Sequence, residues 1–374
     1  MRAIRRSLVP RTFAPIVFVC AALAAAGCGG DGGGKEETSG EESGSATIWF
    51  TSGEQFRTVE RELPEGGTEV RPAVEELLGG PTPAERTAGV EAQTQIPEGV
   101  SLERVRVRDG EAVVEVSPRF LEGIPADRDR RSREQRAELD ARVAQVAYTA
   151  TQFDGVESAR VISGGTTVES GADREDFERP DTGPAPVVKA KGSRLPGTRR
   201  IQKRLAKLRY LPRKAVDGLN GYRTRQAVIA FQSWEGLDRD GIVGPVTAGA
   251  LRTARRPKPR ARGPAKRIEI HRAKGVALLI ARGKTKRAVH VSTGAPGTAT
   301  PTGTYRVFRK ELQSWSVPFS TWLPYASYFN RGIALHEYPD VPTYPASHGC
   351  VRVPAPEAKF VYRFAAIDRV VVVY

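Results

Sequence analysis

The chain has 374 residues, 39% of them hydrophobic and 27% charged, with a formal net charge of +15. That length suits two to three domains of roughly 150 residues each, and the composition excludes both a polytopic membrane protein and a wholly disordered chain. The charge is unevenly spread, +4 over residues 1–30, −14 over 31–180 and +25 over 181–374. An acidic front half and a basic back half imply separate domains with different partners, and a basic surface suits any polyanion.

The N-terminus narrows the partners. Arg2, Arg5, Arg6 and Arg11 precede an apolar run, Phe13 to Leu23, that passes into Ala24-Ala25-Ala26-Gly27-Cys28. A basic start, a short apolar stretch and small residues before a cleavage point describe an export signal over 1–27. The run is shorter than the roughly 20 residues that a membrane-spanning helix needs. Small residues ending in Gly-Cys resemble a bacterial lipobox, with Ala25 where Leu is usual. That resemblance implies a lipidated Cys28, and with it a protein anchored to the membrane on its outer face, toward the cell wall. Residues 28–45, rich in Gly, Ser and acid, read as a flexible linker. Nucleic acid drops out as a partner, because an exported protein does not normally meet it. With Cys20 inside the signal and Cys28 lipidated, one thiol remains, Cys350, so no intramolecular disulfide is expected.

Residues 46–166 read as one α+β domain. Pro72 opens a helix with Val74, Leu77 and Leu78 on one face, and Gly79-Gly80 ends it. Val105 and Val107, then Val114 and Val116, alternate on either side of Asp109-Gly110, a type I′ hairpin signal. Leu139, Val143, Val146, Ala147 and Ala150 recur at helical spacing. The domain holds no His or Cys and no cluster of catalytic residue types. Through Val74–Pro81, Ile96–Val100 and Ala112–Ser117 with Phe120, it resembles the GerMN-type domain of sporulation and germination proteins and of some bacterial lipoproteins. The resemblance implies binding or positioning and leaves the partner open.

Residues 167–193, polar and Pro/Gly-rich, read as a linker. Residues 194–253 read as a small all-α unit with apolar stripes at Ile201, Leu205 and Leu208 and at Ala227, Val228 and Phe231. A pattern repeats inside it: Asp217-Gly218 with Thr224, then Asp240-Gly241 with Thr247. Asp-Gly supplies a turn, and Thr seven residues after the Asp is expected to cap the next helix. With Gln202 and Gln232, these residues resemble the peptidoglycan-binding type 1 domain, and most of them build the fold. The basic, Pro-rich residues 254–265 read as a semi-rigid spacer.

Residues 266–374 read as mainly β, in short runs such as Ile268–Ile270, Ala277–Ile280 and Val370–Val373, with one helix from Pro356 through Phe364. All four His (271, 290, 336 and 348) fall here beside Cys350. The string Ser347-His348-Gly349-Cys350-Val351-Arg352 contains His-Gly-Cys, which this composition yields by chance about 0.003 times per chain. A thiol must lose its proton to attack a carbonyl, and a nearby imidazole can take it. In an extended segment His348, Cys350 and Arg352 share one face. Gly349 lets substrate approach backbone N–H groups that would support an oxyanion. His271 and His290 read as structural. No metal site is expected, for lack of a His-Glu-x-x-His string or a second Cys, and no cofactor.

The string resembles the signature of the L,D-transpeptidase catalytic domain, and the likeness spans 266–374. It includes Ser292-Thr293-Gly294, Thr300–Tyr305, Leu323-Pro324-Tyr325 with Phe329, and Gly332–His336. The chain departs from the family in the short gap of ten residues between His336 and Ser347, and in Glu337, where many members carry Gly. The resemblance implies that the Cys350 thiolate attacks the carbonyl joining the third residue of a peptidoglycan tetrapeptide stem to its terminal D-Ala. D-Ala leaves and a thioester remains. A side-chain amine on a neighbouring stem then forms a 3→3 cross-link, a step of cell-wall biogenesis and cell shape. Water as acceptor would make the same site an L,D-carboxypeptidase. The rivals are a wall-binding lipoprotein without catalysis and a cysteine endopeptidase of the wall, which usually places Cys before His, whereas here both His336 and His348 precede Cys350.

Local geometry favours His348 as base, two residues from Cys350, while the resemblance favours His336; side chains at i and i+2 of a strand point in parallel and rarely meet, which tips the expectation to His336. Ser347, Gly349 and Arg352 are expected in support. Tyr325, Phe329, Thr302 and Gly303 are expected to line the substrate site, and peptidoglycan stems and glycan are the expected partners.

Overall fold

The computed structural model describes residues 44–64, 70–87, 91–180, 183–184, 192–260 and 263–374. Residues 1–27, expected to be an export signal, and Cys28 lie outside the described residues, as does nearly all of the stretch to residue 45. No helix among the described residues is long and apolar enough to cross a membrane.

In the first part, β1 (Ser45–Ser52) and β2 (Gln55–Glu62) form an antiparallel ribbon, followed by α1 (Val70–Leu78) and the short α2 (Pro83–Arg86). A four-stranded sheet follows in the order β3 (Leu102–Arg108), β4 (Glu111–Val116), β5 (Ser158–Ser163), β6 (Thr166–Ala172), with α3 (Arg133–Ala150) between β4 and β5. Asp109 and Gly110 both take positive φ, 51° and 78°, as the type I′ turn at the β3–β4 corner requires. Val74 and Leu77 of α1 and Leu139, Val143, Val146 and Ala147 of α3 share one core with Val114, Val116 and Val161 of the sheet. That core also takes in Ala172 and Phe177, so the first domain runs past residue 166 into the stretch expected to be a linker. The strand alternation of 166–172 is masked by its small and acidic residues.

The middle part contains β7 (Ser193–Arg194), α4 (Thr198–Leu208), β8 (Leu219–Asn220), α5 (Tyr222–Glu235) and α6 (Pro245–Thr253). Its repeat has a shared wiring. Gln202 Nε2 donates to Asp217 Oδ1, the Leu219 carbonyl and Thr224 Oγ1, while the Gly218 N–H donates to Gln202 Oε1. Gln232 makes the same four bonds, to Asp240, Ile242, Thr247 and Gly241. The helix caps are Gly221 and Gly244, not the two Thr. Each Thr sits inside the first turn because its hydroxyl is taken up by the Gln network.

The last part is a two-sheet sandwich. One sheet has the order β11 (Lys284–His290), β10 (Val276–Ala281), β9 (Arg267–His271), β17 (Val370–Val373), β12 (Gly303–Arg306). The other has the order β13 (Arg309–Ser316), β14 (Thr321–Asn330), β15 (Ile333–Tyr338), β16 (Val351–Pro354), with α7 (Ala355–Phe364) after β16. Between them lie Ile268, Ile270, Ala277, Leu279, Phe329, Ile333, Leu335, Val351 and Val353.

The continuous apolar run 276–280 is buried on both faces. Ala277 and Leu279 enter the sandwich, while Val276, Leu278 and Ile280 pack with Leu205, Ala227, Val228 and Phe231 of the middle part. The helical unit and the sandwich therefore share a core. Residues 254–260 lie along the sandwich rather than standing off it: Thr285 donates to the Pro257 carbonyl, and the Arg260 N–H to Glu269.

Candidate active site

Cys350 and His336 come together because β15 and β16 run parallel, with Leu335 opposite Val351 and His336 opposite Arg352. The Ala334 N–H points at Cys350 Sγ, 3.3 Å away, and the thiol faces the Gly332 carbonyl at 3.6 Å. His336 Nδ1 lies 2.8 Å from the Glu337 carbonyl, so the ring carries its proton on Nδ1 and presents the Nε2 lone pair. Nε2 is buried and has no hydrogen-bond partner. Main-chain geometry makes this bond, so Glu337 serves it as well as Gly would.

His348, Cys350 and Arg352 do not alternate on one extended face as expected. Gly349 takes φ of 119°, a conformation that breaks the strand ahead of Val351. The His348 ring turns away to stack on Phe319 at 4.2 Å. Ser347 Oγ donates to the Cys350 carbonyl and accepts the Gly349 N–H, and Thr300 Oγ1 donates to the Gly349 carbonyl at 2.7 Å. The Gly349 amide is thus engaged within its own loop instead of being free to support an oxyanion. Arg352 is 5% exposed, with its guanidinium 3.8 Å from the Tyr338 ring centroid and Nε and Nη1 unpartnered.

The expected lining residues separate. Phe329 is 3% exposed in the sandwich core, because its strand position points between the sheets. Tyr325 borders a different cavity, of about 550 Å³, with Arg223, Arg287 and Glu357. Gly303 opens β12, where an added Cβ would meet Tyr305 Oη at 2.9 Å. Thr302 lines a cavity of about 550 Å³ together with Ser52, Gln93 and Ile333. His271, edge-on to Trp234 and stacked on Tyr374, and His290, bonded to Gln226, are held in packing and hydrogen-bonding roles.

One site residue comes from the domain read as free of catalytic residue types. Glu54, at the β1–β2 turn and 3% exposed, sets Oε2 3.9 Å from His336 Nε2. Glu54, His336 and Cys350 each offer a donor atom within 4.8 Å of the others. A cavity of about 250 Å³ beside them is lined by Glu54, Gln95, Arg133, Tyr338, His348 and Arg352. Burial, and then the Glu54 charge, push the Cys350 thiol well above its usual range, against the Ala334 and Glu54 N–H groups and Arg352. Burial lowers His336, with Glu54 opposing, and holds His348 at about 4. Both imidazoles are neutral at pH 7, and the resting pair is thiol and imidazole.

Three family models match successive stretches of the chain. Residues 47–169 match "Sporulation and spore germination", 194–251 a putative peptidoglycan binding domain, and 265–373 the L,D-transpeptidase catalytic domain. No curated protein sequence matches. Among solved structures, the chain is 34% identical to an L,D-transpeptidase from Xylanimonas cellulosilytica, covering 52% of this chain and all of that one, with a TM-score of 0.44. It is 25% identical to an L,D-transpeptidase from Stackebrandtia nassauensis, covering 52% of this chain and 97% of that one, with a TM-score of 0.33. With residues 265–373 matching the catalytic-domain model and 34% identity over the whole of the Xylanimonas chain, the protein belongs to the L,D-transpeptidase family.

Proposed function

We propose that the protein is an exported, lipid-anchored enzyme that forms 3→3 cross-links in peptidoglycan through a thioester on Cys350. The observation that carries the reading is the His336 ring, which sets a nitrogen within 4.8 Å of Cys350 Sγ while Nδ1 faces the Glu337 carbonyl and the buried Nε2 is left unpartnered.

His336 Nε2 takes the thiol proton as Sγ attacks the carbonyl carbon of the third stem residue. The carbonyl oxygen becomes an oxyanion. The tetrahedral centre collapses, the bond to D-Ala breaks, and imidazolium returns the proton to the leaving amine. A side-chain amine of a second stem then attacks the thioester, releasing Cys350. Arg352, which lines the cavity and keeps Nε and Nη1 unpartnered, would hold a substrate carboxylate. The helical unit at 194–253 positions the enzyme on glycan, and its +25 half favours anionic wall polymers.

The test is incubation of the purified chain with disaccharide-tetrapeptides that end in D-Ala, with products identified by mass spectrometry. Cross-linked dimers that have lost one D-Ala are expected. Tripeptide monomers alone would assign hydrolysis in place of cross-linking, and unchanged substrate would refute both.

A further inference from the structure

The β1–β2 turn is where a hairpin normally meets solvent, yet Ser52, Gly53 and Glu54 are all buried. The turn is pressed into the sandwich at Cys350. Ser316 Oγ donates to the Glu54 carbonyl, and Gln55 Nε2 donates to the Trp315 carbonyl at 3.2 Å. There is no slack: a Cβ on Gly53 would lie 2.7 Å from the Gly332 carbonyl oxygen, and one on Gly332 would lie 1.8 Å from that of Ser52. Beneath the turn, Cys350 is 0% exposed and His336 1%. An acyl donor must bring its carbonyl carbon to about 3–3.5 Å from the sulfur. Glu54 fills that approach, its amide toward Sγ and its carboxylate toward His336.

We propose that the β1–β2 turn is a tethered ligand of the catalytic groove that competes with the carboxylate-bearing stem peptide, so that reaction requires the first domain to lift away. This inference rests on the reading of Cys350 as nucleophile. Glu54 presents what such a peptide presents, a backbone amide followed by a carboxylate. The closure is balanced rather than permanent. Glu54 Oε1 is buried without a partner, which penalises the closed state. Much of the surrounding contact is polar, including the Trp315 indole N–H on the Phe177 carbonyl, Tyr338 Oη near Glu134 and Arg331 near Glu91. Substrate affinity is reduced by the fraction of molecules that are open.

The experiment measures the rate of Cys350 alkylation by iodoacetamide in the full chain, resolved at the peptide level. Gly53→Ala places a methyl group against the Gly332 carbonyl. Gly165→Ala is the matched control: φ is also positive there, 77°, in a turn of the same domain, but an added Cβ meets nothing within 4 Å. Alkylation at least about 10-fold faster in Gly53→Ala, with Gly165→Ala like the parent, is the expected result. Ser316→Ala, which releases the turn from the opposite side without strain in the hairpin, is expected to move the rate the same way. Equal rates in all four chains would overturn the proposal. Faster alkylation with no turnover of muropeptides would leave the tethered ligand standing and count against the transpeptidase reading alone.

Discussion

Replacing His336 by Ala is expected to slow acyl transfer by about 10²–10⁴-fold, and Cys350→Ser by at least about 10⁴-fold. His348→Ala should cost less, because its ring stacks on Phe319 while the His336 ring sets a nitrogen within 4.8 Å of the sulfur. Transfer rates can mislead if a variant misfolds, so thiol reactivity against pH is the sharper readout. In His336→Ala, Cys350 alkylation near pH 7 should fall and recover only as pH rises toward the elevated range of the buried thiol. His348→Ala should keep most of the neutral-pH reactivity. The reverse order would make His348 the base.

Phe231→Ala is expected to destabilise the protein by about 3–5 kcal/mol. The residue is 0% exposed and packs in the core that joins the helical unit to Val276, Leu278 and Ile280. Because that core is shared, the catalytic sandwich and the helical unit should melt together in calorimetry; independent transitions would contradict the continuous core. The same junction holds His290, pushed down to about 4 by burial first and by Arg239 second, with its ring bonded to Gln226. An unfolded His titrates near 6.5, so between roughly pH 6.5 and 4 the unfolded chain binds more protons than the folded one. Stability should fall as pH drops through that window, by an amount on the order of 3 kcal/mol from this group.

Much of this architecture is legible in the sequence. The Asp109-Gly110 corner, the two Asp-Gly repeats and the helix after Pro354 follow from local rules of turn chemistry and periodicity. The Ser347–Arg352 string marks Cys350 as the candidate nucleophile. Features that depend on distant pairing are hidden. Nothing local singles out Gly53-Glu54, and only docking against Gly332 and Ser316, more than 260 residues away, turns it into part of the site. Phe329 looks like an aromatic lining residue until the strand register turns it inward. The run 276–280 did carry a signal: apolar side chains on both faces of a strand require cover on both, and the helical unit supplies the second. Gly349 hid its left-handed backbone, so the i, i+2 geometry drawn for His348 and Cys350 failed there.

Intact-mass measurement of the chain trapped during turnover, with the modified peptide then located, tests the covalent role of Cys350 most directly. Incubation of the parent and Gly53→Ala chains with a tetrapeptide donor should add the mass of the donor less D-Ala to Cys350. Cross-linked or trimmed products formed without any adduct on Cys350, and formed equally by Cys350→Ser, would contradict it.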